Sequence, residues 1–115
     1  MRFDQDYHDV RSAVIASSGN EAITALAAVA GKRIKVMSYV ISVTGAQNVK
    51  WQSKVGSATA ADLSGGLVAL ASTAPLFVAP HNPNGYFTTA SGGALLLLSS
   101  AAGAVGGHFT YLLVD

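Results

Sequence analysis

Turn-forming residues divide the chain into short apolar segments. Glycine, proline, serine and asparagine recur about every ten residues, and the clearest turn is Asn82-Pro83-Asn84-Gly85, where proline fixes φ and glycine accepts a positive φ. This spacing is typical of an all-β sandwich or barrel. We therefore predict one antiparallel β-sandwich of about eight strands over residues 12–115, after a short N-terminal arm over residues 1–11. The candidate strands cover residues 9–17, 21–30, 33–43, 47–55, 66–71, 75–79, 86–90, 94–99 and 107–114.

One of these segments, residues 21–30, fits two structures. Ser18 followed by Glu21, then an alanine-rich run up to Gly31, has the pattern of a capped helix. The segment also leads directly into the β-branched stretch 33–43, and Gly31-Lys32 suits a hairpin turn. We favour a strand and keep the helix as the alternative.

Hydrophobic alternation differs between the predicted strands. Polar side chains of Asn48, Lys50, Gln52 and Lys54 alternate with Val49 and Trp51, so that strand has one wet face and Trp51 points inward. Three other segments have apolar residues at both odd- and even-numbered positions, and so on both faces of the strand: residues 34–43, 95–98 and 109–114. Such strands need a second cover, either from a neighbouring subunit or from a helix or loop of the same chain. The subunit is the simpler cover, and the predicted interface residues are Met37, Tyr39, Ile41, Leu96, Leu98, Phe109 and Tyr111.

Charged residues are few and unevenly placed. They make up 11% of the 115 residues, against about 25% in ordinary globular chains. Beyond Lys54 only Asp62 and Asp115 are charged, which indicates a half of the chain that other subunits cover. A hydrophobic content of 50% argues against disorder, and a net charge of +1 argues against nucleic-acid or membrane-surface binding. We find no apolar segment of transmembrane length and no signal peptide, and expect synthesis in a cytoplasm without export through a signal.

No motif predicts catalysis, a metal or a cofactor. The chain has no cysteine, and the histidines His8, His81 and His108 lack metal-ligand spacing. Asp4, Asp6 and Asp9 lack the glycine and distal glutamate of a calcium loop, and nothing pairs Glu21, Asp62 and Asp115 as catalytic acids. The basic residues Lys32, Arg33, Lys35, Lys50 and Lys54 fit a solvated face, with an acidic partner or glycan as the alternative. We expect the protein not to be an enzyme.

Four runs carry a resemblance: GKRIKVMSYVISVTGAQNVKWQS, LSGGLVALAS, APHNPNGYFTTASGGALLLLSS and VGGHFTYLLVD. Over roughly residues 21–115 the chain resembles small jelly-roll-type structural proteins of tailed bacteriophages, most specifically in NPNGYFTTASGGAL. Members of similar size and fold are capsid decoration, or cement, proteins that sit on the shell as trimers. The resemblance implies a homotrimer on the capsid surface, made in the host cytoplasm, whose partner is the major capsid protein.

The N-terminal arm matches no motif of that family. Its aromatic and basic residues suit contact with a second surface, so the candidate capsid contacts are Arg2, Phe3, Tyr7 and Arg11. The alternative function is a receptor- or glycan-binding module of a phage tail or fibre, with a pocket around His81 to Tyr86.

Overall fold

Two antiparallel five-stranded sheets form the protein, which we analysed as a computed structural model describing residues 10–19, 22–44, 47–69, 76–100 and 102–115. The all-β sandwich predicted above is confirmed. The strands are β1 (Arg11–Gly19), β2 (Ala22–Leu26), β3 (Arg33–Val43), β4 (Gln47–Lys54), β5 (Ala61–Asp62), β6 (Leu67–Ala69), β7 (Leu76–Ala79), β8 (Phe87–Thr88), β9 (Ala94–Ser99) and β10 (Ala102–Val114).

The ten strands occupy eight positions in the two sheets, which agrees with the predicted number of about eight strands. Sheet A has the order β1-β10-β3-β7, and sheet B has the order β2-β9-β4-β5. β7 and β8 pair with successive parts of β3, as β6 and β5 do with β4, so each pair occupies one interrupted strand position. Eight positions result. The first strand pairs with the last, and most connections cross between the sheets, which is the jelly-roll type of sandwich.

The core lies between the two sheets around an aromatic cluster. Trp51 is fully buried, as its alternation predicted, and its ring centroid lies 5.4 Å from Tyr39, 5.7 Å from Phe87 and 5.6 Å from Phe109. Leu95 and Leu97 of β9 complete the contact from sheet B. Burying aromatic rings of this size supplies much of the hydrophobic stabilisation of a small domain.

A β-bulge in β3 corrects one prediction. Ser38 pairs with Thr110 but Val36 pairs with Tyr111, so Met37 is an extra residue in β3. One extra residue reverses the facing of all that follow. The even-numbered residues before Met37 and the odd-numbered ones after it therefore point into the same core: Ile34, Val36, Tyr39, Ile41 and Val43. The apolar residues of both parities in this strand share one face of the sheet, and the prediction of two apolar faces was wrong there.

The ambiguous segment 21–30 contributes a strand. Ala22–Leu26 pairs with β9, with Ile23 opposite Leu97, and residues 27–30 are exposed and outside any strand. Pairing with the leucine-rich β9 buries Ile23 and Leu26 against the core, which overrides the helical propensity of the alanines.

Candidate interaction surface

Acidic side chains in the described part of the chain serve local pairing. Asp62 accepts hydrogen bonds from Gln52 Nε2 at 2.8 Å and Lys50 Nζ at 3.1 Å, and Asp115 accepts one from Lys32. The Gln52 and Lys50 hydrogen bonds lower the pKa of Asp62, and the Lys32 contact lowers the pKa of Asp115. Both carboxylates therefore stay ionised and paired, the opposite of the raised pKa that suits a general acid.

Groups of histidine and acidic residues that could hold a metal ion do not occur among the described residues. In the same part of the chain, no helix is long and apolar enough to span a membrane. Burial and the neighbouring Tyr86 raise the pKa of Tyr39, which keeps that hydroxyl protonated inside the aromatic cluster. Asp62, Asp115 and Tyr39 thus make contacts within their own chain.

Most of the predicted interface residues lie inside the protomer. Ile41 and Phe109 have no exposed surface, and Met37 and Tyr111 are also buried. Tyr39 packs on the core, between the rings of Trp51 and Tyr86. A neighbouring subunit cannot reach side chains that are already covered by their own chain, so Met37, Ile41, Phe109 and Tyr111 are corrected to core residues. Tyr39 is half-buried, and its contact with a second subunit stays a prediction.

The other two predicted interface residues face outward from sheet B. Leu96 pairs with Gln52 and Leu98 with Lys50, both on the polar face of β4, while Leu95 and Leu97 point into the core. β9 is thus apolar on both faces, as predicted. Leu96 is buried all the same, and Leu98 is half-buried.

Of the predicted capsid contacts, only Arg11 lies among the described residues. It is exposed and begins β1, opposite Tyr111. Arg2, Phe3 and Tyr7 lie outside the described residues.

The three most exposed of the large apolar side chains in the described residues, Val14, Leu76 and Val78, lie on the outer face of sheet A. Val14 of β1, His108 of β10, Val40 of β3 and Val78 of β7 are cross-strand partners in one row, which we call the ridge. Val14 is 78% exposed and Val78 is 57% exposed. Alternation along each strand turns these side chains away from the core residues beside them. The ridge crosses four strands of the sheet and contains no Asp, Glu, Lys or Arg.

A second row lies two residues along each strand from the ridge. It contains Ala16, Gly106 and Ser42, which we call the trough, and ends at Leu76 of β7, which is 59% exposed. Because these three side chains are small or missing, they line a shallow depression of about 420 Å³. The Ser42 hydroxyl donates a 3.5 Å hydrogen bond to the Gly106 carbonyl. The outer face of sheet A therefore presents a raised apolar row beside a hollow one.

Sequence reasoning missed this surface. Its members come from four segments that are far apart in the chain, and only the strand register places them side by side. The available signal was local: Val14 alternates with Ile15, and Val78 with Phe77 and Ala79. When the odd- and even-numbered residues of a strand are both apolar, alternation alone does not show which set faces water.

The proline turn at residues 80–86 is the location predicted for a glycan pocket. Asn84 N donates to Asn82 Oδ1 at 3.0 Å, Asn82 Nδ2 donates to the Gly85 carbonyl at 3.4 Å, and the Tyr86 hydroxyl donates to the Pro80 carbonyl. These polar groups are used in shaping the turn. The ring of Tyr86, 40% exposed and edge-on to Tyr39, remains as a surface for a ligand.

In comparisons with known proteins, the chain matches no family model, no curated protein and no solved structure. The inference of function therefore starts from the surface just described.

Proposed function

We propose that the protein is a virion structural subunit: a homo-oligomeric capsid decoration protein that binds the head shell of a tailed bacteriophage and stabilises it. The observation that carries the proposal is the apolar outer face of sheet A, where Val14, Val78 and Leu76 are each more than half exposed. Monomeric proteins seldom leave a contiguous apolar face in water, and such faces mark contacts with other proteins.

The mechanism would be additive burial. Each copy that binds removes apolar surface from water, at about 25 cal/mol per Å². A ligand that binds only the intact shell raises shell stability with its occupancy, by mass action. No reaction is needed, which agrees with the paired, ionised carboxylates described above.

The head location and the homotrimer come from the family resemblance. On that basis the partner is the major capsid protein. The proposed capsid contacts Arg2, Phe3, Tyr7 and Arg11 rest instead on the aromatic and basic side chains of the N-terminal arm. The ridge and the trough on the outer face of sheet A contain no Asp, Glu, Lys or Arg. They support association in general and do not by themselves choose this partner.

Two measurements test the proposal. Purified virions should contain this chain in hundreds of copies, counted by quantitative mass spectrometry against the major capsid protein. The isolated protein should bind expanded capsids of the same phage and raise their unfolding temperature as occupancy rises. A handful of copies per virion, or capsids that melt unchanged at full protein excess, would contradict the decoration role.

The alternative function, a receptor- or glycan-binding module of a tail or fibre, has one supporting observation. The exposed ring of Tyr86 could stack on a sugar. Saturable binding on a glycan array, lost in Tyr86→Ala and kept in Val55→Ala, would favour this alternative. Val55 is a suitable control because it is 45% exposed and directly follows β4, outside residues 80–86.

A further inference from the structure

We infer that the outer face of sheet A binds a second copy of this chain, with the ridge of each copy in the trough of the other. The inference rests on the self-association in the proposed function and does not depend on the virion location. It assigns the contact residues and the symmetry of one interface.

Self-complementarity follows from the spacing of the two rows. Consider a two-fold axis that lies in the interface and runs across the strands, over the row between ridge and trough. It brings each ridge residue of one copy over the trough residue two positions away on the same strand of the second copy. That middle row is itself in register: Ile15 pairs with Gly107, Gly107 with Ile41, and Ile41 with Phe77. One rotation therefore matches all four strands at once.

The contacts that this axis creates are sterically matched. Val14 of one copy lies over Ala16 of the second copy, and Val40 over Ser42. His108 lies over Gly106, which has no side chain to oppose the imidazole. At the edge of the sheet Val78 meets Leu76, an apolar contact on both sides. Large side chains thus meet small ones where the sheets are closest.

Charge selects this orientation over the other two-fold arrangement. Arg33 and Lys35 lie at one end of β3, and Lys35 pairs with Leu112 on the outer face. An axis parallel to the strands would stack this basic end on its own copy, and like charges opposed in an interface are unfavourable. With the axis across the strands, the overlap runs from Ser38 to Thr44, and both basic residues lie beyond it.

The area indicates a weak contact. Four strands about 4.8 Å apart and seven residues at about 3.3 Å give a footprint of about 400 Å² per copy, half of the roughly 800 Å² of a standard interface. Contacts of this size are typical of transient association. We expect a reversible contact that forms at micromolar concentration and strengthens where copies are held close together.

A charge exchange across the axis tests the geometry. Val14→Lys and Ala16→Asp change exposed positions, so both variants should fold normally. Either substitution alone should weaken association at least tenfold, because it places two unpaired charges in the contact. An equimolar mixture should recover most of the wild-type association, since the new lysine of one copy then faces the new aspartate of the other. Val55→Lys, at a 45% exposed site outside the face, should associate like the wild type.

Sedimentation velocity over a range of concentrations measures these associations, and a covalent readout separates them from any trimer. The chain has no cysteine, so Val14→Cys and Ala16→Cys each introduce a single thiol. A short bifunctional maleimide should cross-link the mixture of the two variants into dimers more efficiently than either variant alone. Unchanged association in Val14→Lys, or no recovery in the mixture, would overturn the inference.

The two proposals fail separately. Suppose that the protein forms a trimer, that Val14→Lys forms the same trimer, and that the mixed cysteine variants do not cross-link. This result would overturn the ridge-to-trough contact and leave the decoration role standing. The mixed cross-link in a protein present at a few copies per virion would support this contact and contradict the decoration role.

Discussion

Replacing Gly107 with alanine should destabilise the sandwich more than any other change of one methyl group in β10. Gly107 lies in the centre of β10 between β1 and β3, with a φ of 143°. A Cβ at this position would lie 1.9 Å from the carbonyl oxygen of Val40 and 2.9 Å from its carbonyl carbon. Both atoms belong to the backbone of the neighbouring strand, so no side chain can rotate away to make room.

The magnitude has three parts. A non-glycine residue at such a φ costs about 1–3 kcal/mol, and forcing an extra carbon into packed structure costs about 1–3 kcal/mol. Alanine also restricts the unfolded chain, which returns about 0.4–1 kcal/mol. The net loss should be about 3 kcal/mol, at the centre of a summed range of about 1–6 kcal/mol. For a domain whose total stability is about 5–15 kcal/mol, this lowers Tm by on the order of 10 °C.

Gly106→Ala provides the matched control. It adds the same methyl group one residue earlier in β10, where the nearest atoms are the Ile15 carbonyl oxygen at 3.7 Å and the Ser42 hydroxyl at 3.8 Å. These are ordinary contacts, so stability should change by less than about 1 kcal/mol. Urea unfolding followed by tryptophan fluorescence measures both variants, at protein concentrations low enough to keep the chain monomeric. Equal midpoints for the two variants would refute the close approach of β10 to Val40.

Three further predictions concern buried polar groups and the surface ion pair. Thr89→Val should cost about 1–3 kcal/mol in urea unfolding, because Oγ1 of this fully buried residue accepts a 2.9 Å hydrogen bond from Ile34 N; Thr89→Ser keeps the oxygen and should cost less. Trp51→Ala should lower the free energy of unfolding by about 3–5 kcal/mol, and Trp51→Phe should lower it clearly less. The reason is that Trp51 Nε1 is buried with no acceptor among the described residues, so phenylalanine removes an unsatisfied donor. Equal losses of unfolding free energy in the two variants would contradict this. Gln52 and Lys50 lower the pKa of Asp62, so its contribution is present above the ordinary carboxyl pKa of about 4 and is lost as pH falls through the folded-state pKa. Asp62→Asn should therefore flatten the acid limb of the stability curve, and an unchanged limb would contradict the assignment.

Strand positions bounded by strong turn signals could be predicted from sequence. β3 was expected at residues 33–43 and forms at Arg33–Val43, between the turn at Gly31 and the polar residues after Val43. β4 and the inward position of Trp51 followed from strict alternation with lysine and glutamine. In these segments local chemistry and tertiary packing favour the same structure, so a local argument suffices.

Features created by pairing could not be predicted. The bulge at Met37 depends on how β3 aligns with β10, about seventy residues later in the chain, and no glycine or proline marks it. In a strand without the bulge, Val36 and Tyr39 would lie on opposite faces, so the sequence predicts apolar residues on both faces of the strand. The predicted interface consequently included Ile41, which lies in the core.

The same register information changes the meaning of the low charge. β9 and β10, which make up much of the charge-poor half, are central strands flanked on both sides, β9 by β2 and β4 and β10 by β1 and β3. Strands in that position are covered mainly by their own chain and need few charges, so composition alone is weak evidence for a second subunit. The stronger evidence is the outer face of sheet A, where Val14 and Val78 are exposed although a polar residue at either position would not disturb the core. Together with Leu76 these valines form an apolar patch on that face, and such patches favour contact with another protein, which is why the association experiments centre on Val14.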